Sequence, residues 1–167
     1  AHPDNDATNQ GFIRDAGDSA PDIQAGALRL EAVGDIGALA DALEIAVDTV
    51  VARSAAGNLS LLEQDDVTIG QVEVSVNRVA VDGATAVVTD APLAGLATGG
   101  SGSIVLVTMD GSITVDGFPA DAGNADGRRV ALSLNPDSGS GVVTDSGNIL
   151  LMAGGAGQDI VLNADVE

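Results

Sequence analysis

The sequence contains no cysteine, no lysine, no tryptophan and no tyrosine, and its only aromatic residues are Phe12 and Phe118. Without cysteine, neither disulfides nor thiolate metal sites can hold the fold together. Without large rings, the core must be built from Val, Ile, Leu and Ala. Such side chains suit a narrow interior of similar layers better than the broad core of a globular enzyme.

Basic residues are also scarce: six arginines stand against 25 acidic residues, and the net charge is −19. This balance repels the phosphate backbone and excludes nucleic acid as a partner. Hydrophobic residues make up 45% of the chain, which is too much for a disordered acidic polypeptide. We therefore expect a folded, acidic surface that needs counter-ions, supplied by salt or by Ca²⁺.

The only histidine is His2, in a polar segment with little to hold it. A Ser-His-Asp triad needs a positioned imidazole, so the sequence predicts that the chain is not an enzyme. No apolar stretch approaches a membrane-spanning length, and we expect no membrane insertion. Because the chain begins at Ala1 without an initiator Met, we expect it to be a processed or excised piece.

Glycine recurs in one short phrase: a glycine, a small polar residue, then alternating apolar positions. The glycine makes a turn, the polar residue satisfies backbone groups, and the period-two run predicts a short strand with one face inward. The phrase begins at Gly34, Gly57, Gly102, Gly111 and Gly147, with a near match at Gly157. Repetition of one unit favours a β-solenoid over a sandwich or a barrel.

The predicted fold is thus all-β, with a polar N-terminal tail or linker/junction segment at 1–24 and a β-solenoid repeat module at 25–167. Coils of roughly 20–25 residues would give about seven coils. The alternation at 71–81 predicts a strand with Val72, Val74 and Val76 on one side, and 119–128 reads as a polar insertion. The predicted core residues are Leu28, Leu30, Ile36, Leu59, Leu61, Ile104, Leu106, Ile113, Val115, Ile149, Leu151, Ile160 and Leu162.

Several of these runs resemble the tandem repeats of giant bacterial surface adhesins of the filamentous-haemagglutinin-like type. The clearest are Gly26-Ala27-Leu28-Arg29-Leu30, then Gly57-Asn58-Leu59-Ser60-Leu61, and the stretch 102–117. The resemblance covers about 25–167. It implies a right-handed parallel β-helix, an extracellular location at the cell surface, and a role in adhesion or extracellular structure. It implies no catalytic residues.

Two acidic groups are candidate Ca²⁺ ligands. The run 154–162 matches the calcium-binding nonapeptide G-G-x-G-x-D-x-U-x, with Asp159 at the aspartate position. A glycine turn leading into a strand is the plainer interpretation of that run. Glu63, Asp65 and Asp66 crowd one turn, where carboxylates can chelate Ca²⁺ but more often form a solvated face. We therefore expect no cofactor other than structural Ca²⁺.

The sequence predicts a structural module of an extracellular filament or adhesin stalk that stacks end to end with identical modules. A cell-surface or polysaccharide target would be its other partner. One alternative is a sandwich-like fibre subunit that donates a β-strand to its neighbour. The other is a β-helical polysaccharide-active enzyme, although the chain lacks the aromatic platforms that sugar subsites need.

Overall fold

The computed structural model describes residues 11–15, 17–117 and 141–166. These residues form strands, turns and isolated bridges without any helix, so the prediction of an all-β fold is confirmed. None of the described segments therefore forms a helix that could cross a lipid bilayer. The predicted polar insertion at 119–128 and most of the predicted tail, 1–10, lie outside the described residues.

Fourteen strands follow one another along the described chain. They are β1 (Ile23–Ala32), β2 (Leu43–Ser54), β3 (Leu59–Glu63), β4 (Val67–Ile69), β5 (Gln71–Val72), β6 (Ser75–Val79), β7 (Thr85–Thr89), β8 (Leu93–Ala94), β9 (Leu96–Thr98), β10 (Ile104–Thr108), β11 (Ile113–Val115), β12 (Val142–Thr144), β13 (Ile149–Met152) and β14 (Ile160–Leu162).

Ten of these strands form one nearly closed sheet in which every strand pairing is parallel. The long strand β2 organises it, because its start pairs with β3, its middle with β4 and its end with β9. From these three points the paired strands continue in three columns. The first column contains β3, β10 and β13, the second contains β4, β11 and β14, and the third contains β9 and β12. Strand β1 is paired over its whole length with the other edge of β2.

The order of partners in the first column divides the chain into five layers, where a layer is one passage of the chain through the columns. Ile13, Ile36, Leu59, Ile104 and Ile149 pair in turn, each belonging to the next layer. The first three follow one another at intervals of 23 residues and the last three at intervals of 45. The described residues make five layers, and the third layer carries an added segment at 73–92. Because 118–140 lie outside the described residues, the predicted number of about seven coils stays a prediction.

The added segment of the third layer is an antiparallel hairpin made of β6 and β7, joined to the sheet through the short β5–β8 pair. Val72 in β5 is buried, whereas Val74 and Val76 are exposed. The alternation at 71–81, predicted as a single strand, is divided between β5 and β6. The chain leaves the main sheet after Ile69, and no other described strand covers the hairpin.

The space between the three columns is filled by aliphatic side chains that form a single cluster. Ile36, Ile104 and Ile113 have no exposed surface, as predicted for core residues. Leu28, Ile149 and Leu151 pack against this cluster but are only partly buried. The predicted core residues Ile160 and Leu162 are 41% and 55% exposed, because their strand β14 belongs to the fifth layer and no described layer lies beyond it.

The repeated glycines stack at one corner of the layers, where backbones approach too closely for a side chain. A Cβ on Gly102 would lie 2.2 Å from the carbonyl oxygen of Gly57, and a Cβ on Gly147 would lie 1.9 Å from that of Gly102. Contacts below 3.0 Å are essentially never made by a real Cβ. At Gly57, Gly102 and Gly147 the glycine is therefore required by the layer beneath it, whereas a Cβ on Gly157 would have nothing within 4 Å.

The polar residue that follows each glycine forms a ladder from layer to layer. The Asn58 amide donates to Asp35 Oδ1 at 2.8 Å, the Ser103 amide to Asn58 Oδ1 at 2.9 Å, and the Asn148 amide to Ser103 Oγ at 3.2 Å. These side chains accept hydrogen bonds from backbone N–H groups at the corner, which is the role that the sequence pattern predicts for them.

Strand pairing in the described chain begins upstream of the predicted module boundary. Ile13 bridges Ile36, the Gly34 amide donates to the Gly11 carbonyl at 3.0 Å, and β1 begins at Ile23. Residues 11–24 are thus joined to the second layer by backbone hydrogen bonds. The division of the chain at 24/25 into a tail and a module stays a prediction.

Candidate functional site

The outer surface of the fifth layer exposes apolar side chains. Leu150 and Met152 on β13 and Ile160 and Leu162 on β14 are each between 41% and 55% exposed. In the described part of the chain, β13 pairs only with β10, and β14 pairs only with β11. One edge of each strand therefore has no partner strand among the described residues, and an edge of this kind is suited to pairing with another strand.

The opposite end of the stack is formed by β1. Among the described strands β1 pairs only with β2, so its outer edge is also free. Its exposed stretch carries small side chains, Ala25, Gly26 and Ala27, that leave room for another strand to approach. Nearby, Phe12 is 44% exposed and lies beneath the guanidinium of Arg14, 4.5 Å from the ring centroid.

Among the predicted metal ligands, Glu63 points into the interior and is fully buried. Its carboxylate accepts hydrogen bonds from the Val47 amide at 3.1 Å and from the Gln64 amide at 2.9 Å. Burial raises the pKa of Glu63 to about 7, although these backbone hydrogen bonds act in the opposite direction. The buried carboxylate of Glu63 thus accepts hydrogen bonds from the backbone of β2 and of the residue that follows β3.

The other predicted ligands lie on the outside, at a corner of the second column. Asp66 Oδ1 accepts the Ser112 amide at 2.7 Å, and Ser112 Oγ accepts the Asp159 amide at 3.1 Å. Asp66 and Asp159 are therefore two layers apart, about 9–10 Å at the usual spacing of strands, which is too far to share one ion. Asp65 is exposed next to Asp66.

The nonapeptide-like run 154–162 forms a turn that leads into β14. Gly155 and Gly157 adopt φ values of 90° and 83°, a conformation that favours glycine. The Gly154 amide donates to Thr108 Oγ1 at 3.0 Å. The run thus forms a glycine turn followed by a strand, and Ca²⁺ binding by Asp159 stays a prediction.

The structure brings together three acidic side chains that the sequence did not single out: Asp15, Asp22 and Glu44. One carboxylate oxygen of each lies within 4.8 Å of the others, and in the described chain no other group of three or more His, Cys, Asp or Glu is as close. Asp15 and Asp22 belong to the first layer and Glu44 to β2 in the second. We call this group the acidic triad.

Burial differs among the members of the acidic triad. Glu44 is buried, Asp15 half-buried and Asp22 exposed. Loss of hydration, then the charge of Asp15, raise the pKa of both Glu44 and Asp22. The charge of Asp41 acts on Glu44 and that of Asp18 on Asp22 in the same direction. Five carboxylates therefore concentrate negative charge at this point.

One signal in the sequence could have pointed to the acidic triad. Glu44 interrupts the apolar run Leu43-Glu44-Ile45, where a solvated residue would be expected on the outer face of a strand. The segment 1–24 was interpreted as a tail, so nothing was expected to cover that outer face. In the structure the carboxylate of Asp15 lies beside that of Glu44, and the Asp22 amide donates to the Glu44 carbonyl at 2.9 Å.

Comparison of this chain with protein-family models, with curated proteins and with solved structures found no match. The resemblance to filamentous-haemagglutinin-like adhesins therefore stays a prediction that rests on the residues quoted for it.

Proposed function

We propose that this chain is a right-handed parallel β-helix module that stacks end to end with copies of itself, as a structural part of an extracellular filament or adhesin stalk. The observation that carries the proposal is the pair of open ends. One end presents exposed apolar residues on β13 and β14, and the other presents the free edge of β1.

The way in which the strands recur supports the β-helix part of the proposal. Three columns of parallel strands surround one aliphatic core, and each layer repeats the register of the layer before it. A chain that returns to the same column after every turn, always in the same direction, winds as a helix. The right hand is proposed because crossover connections between parallel strands are right-handed in nearly all proteins.

End-to-end stacking would place the β1 edge of one copy against the β13 and β14 edge of the next. Such a contact continues the parallel hydrogen bonding and removes Leu150, Met152, Ile160 and Leu162 from water. The two surfaces differ, so the contact is heterologous and propagates into an open filament rather than closing as a dimer.

The charge of the chain sets a condition on this assembly. Each copy carries a net charge of −19, so copies repel one another at low ionic strength. Salt screens this repulsion, with a Debye length of about 10 Å at 0.1 M. Assembly should therefore strengthen as salt is added, while the acidic flanks keep the filament soluble.

The extracellular location and a cell-surface or polysaccharide target come from the resemblance to surface adhesins, and they belong to the same proposal. A mechanical role needs no catalytic residue, which agrees with the sequence-based prediction that the chain is not an enzyme. No specific observation favours the strand-donating fibre subunit. None favours the polysaccharide-active enzyme either.

The experiment is sedimentation of the chain over a range of concentrations at 0.05 M and 0.5 M NaCl, followed by electron microscopy. We expect oligomers that grow with concentration and salt, and rods with a layer spacing of about 4.8 Å. Leu162→Asp, at the open end, should abolish growth because it places a charge in the contact.

Val87→Asp is the matched control, because Val87 is 69% exposed but lies on the hairpin, away from both ends. It should assemble like the unchanged chain. A chain that stays monomeric at high concentration in 0.5 M NaCl would refute self-stacking. Equal loss of assembly in both variants would show that general acidity, and not the open end, controls association.

A further inference from the structure

The acidic triad has the dimensions of a cation site. Two oxygen ligands of one Ca²⁺ ion, each about 2.4 Å from it, can be at most about 4.8 Å apart. One oxygen from each of Asp15, Asp22 and Glu44 meets this limit. From this geometry we propose that the acidic triad binds one Ca²⁺ ion between the first and second layers.

The state of Glu44 is a second, independent observation. Glu44 is only 8% exposed, and its Oε2 atom is buried without any hydrogen-bond partner. Neither Glu44 nor Asp22 forms an ion pair with a basic side chain of the described residues. A buried carboxylate oxygen without a partner is unfavourable, and a cation held among the three carboxylates supplies the missing contact.

The surroundings favour Ca²⁺ over other metals. The three side chains offer only oxygen ligands, which suit hard cations, and the described residues contain no cysteine or histidine to favour zinc or copper. Asp18 and Asp41 add negative charge without belonging to the triad. A cavity of about 160 Å³ borders Glu44 and is lined in part by Ser19 and Gln64.

The site joins two layers. Asp15 and Asp22 flank the segment that covers the outer face of β2, and Glu44 comes from β2 itself. The backbone hydrogen bond from the Asp22 amide to the Glu44 carbonyl already holds these layers together at this point. Bound Ca²⁺ adds a second link, so it should stabilise the docking of residues 15–22 on the second layer.

The test is isothermal titration of CaCl₂ into the chelator-treated, dilute full chain at constant ionic strength. We expect one saturable site that is weakened at least tenfold by Glu44→Gln and by Asp22→Asn. Asp22 is exposed, so its substitution tests the site even if Glu44→Gln disturbs folding. Glu73→Gln, at an exposed glutamate on the hairpin side, is the control and should bind Ca²⁺ unchanged.

A thermal melt distinguishes a site from general salt binding. The unchanged chain should melt at a higher temperature with Ca²⁺ than with NaCl of equal ionic strength, and Glu44→Gln should lose that difference. The proposal is overturned if no saturable binding is seen, or if both triad variants bind Ca²⁺ like the unchanged chain. Because binding is measured on the dilute single chain, the result does not depend on end-to-end stacking.

Discussion

The layered columns and the β6–β7 hairpin are built from similar residues but differ in what covers them. Strand β10 alternates buried and partly buried positions, and its Ile104 has no exposed surface. Every residue of β6 and β7 is exposed, including Val76 at 55% and Val87 at 69%. Alternating aliphatic residues thus specify a strand, but the strand becomes core only where a neighbouring layer or column closes over it.

The hydrogen bonding of the two regions also differs. In the columns each strand has neighbours 18 to 47 residues away in sequence, and a polar ladder joins the layers. The hairpin is local: its turn closes with the Ala80 amide on the Ala84 carbonyl, and Ser75 and Thr89 pair across it through their hydroxyls. The hairpin should therefore contribute little to the stability of the columns.

The largest difference between the two regions is expected in the free energy of unfolding when a charge is placed in each of them. Ile104→Asp buries an unpaired carboxylate in the core and should lower the free energy of unfolding by more than about 4 kcal/mol, enough to unfold the chain. Val76→Asp on the hairpin should change it by less than about 1 kcal/mol. Urea denaturation followed by circular dichroism measures both. Similar losses in the two variants would contradict the assignment of Ile104 to a closed core.

A smaller difference in stability is expected between a glutamate of the columns, Glu63, and a glutamate on the hairpin side, Glu73, when each is replaced and the pH is changed. The pKa of Glu63 is about 7 in the folded chain and near 4.5 when exposed, so the folded state binds the proton more tightly. The stability that Glu63 contributes is fully present below about pH 4.5 and is lost as pH rises through 7. Each pKa unit corresponds to about 1.4 kcal/mol, so the loss is of the order of 3–4 kcal/mol.

Glu63→Gln should remove this part of the pH dependence, so the variant gains stability relative to the unchanged chain between pH 5 and pH 8. Glu73→Gln, on the hairpin side, is the matched control for removing one negative charge. Denaturation at several pH values provides the comparison. If both variants keep the slope of the unchanged chain, the buried carboxyl of Glu63 does not titrate as described.

The smallest effect is expected from removing the hairpin. Val72 and Leu93 are antiparallel partners and pack together against Val51, so an Asn-Gly turn can replace 73–92 and join them directly. We expect a loss of about 1 kcal/mol, mainly from the hydrogen bond that Arg29 donates to the Ala91 carbonyl at 2.7 Å. Calorimetry measures it, and a loss above about 3 kcal/mol would mean that the hairpin supports the columns.

Much of the layered region could be predicted from sequence because its determinants are local. Gly57, Gly102 and Gly147 each begin a strand and stack at one corner, so the repeated phrase marks equivalent positions in successive layers. The inward positions Leu59 and Ile104 follow from the alternation behind those glycines.

The candidate sites were less predictable because they depend on contacts between distant segments. Glu63 and Asp66 are neighbours in one turn, yet the first faces the core and the second faces the Ser112 amide of the next layer. Asp15 and Glu44 are 29 residues apart and meet only because the first layer folds over β2. No local sequence pattern indicates that these two side chains lie close together.

The sequence by itself determined the strand content, the aliphatic core and the glycine corners, because these follow from side-chain period, size and backbone freedom at each position. The tertiary structure decided which strands are covered, which carboxylates are buried and where five of them converge. These properties arise when segments from different layers exclude water from one another, and the same residues would be solvated in any single layer.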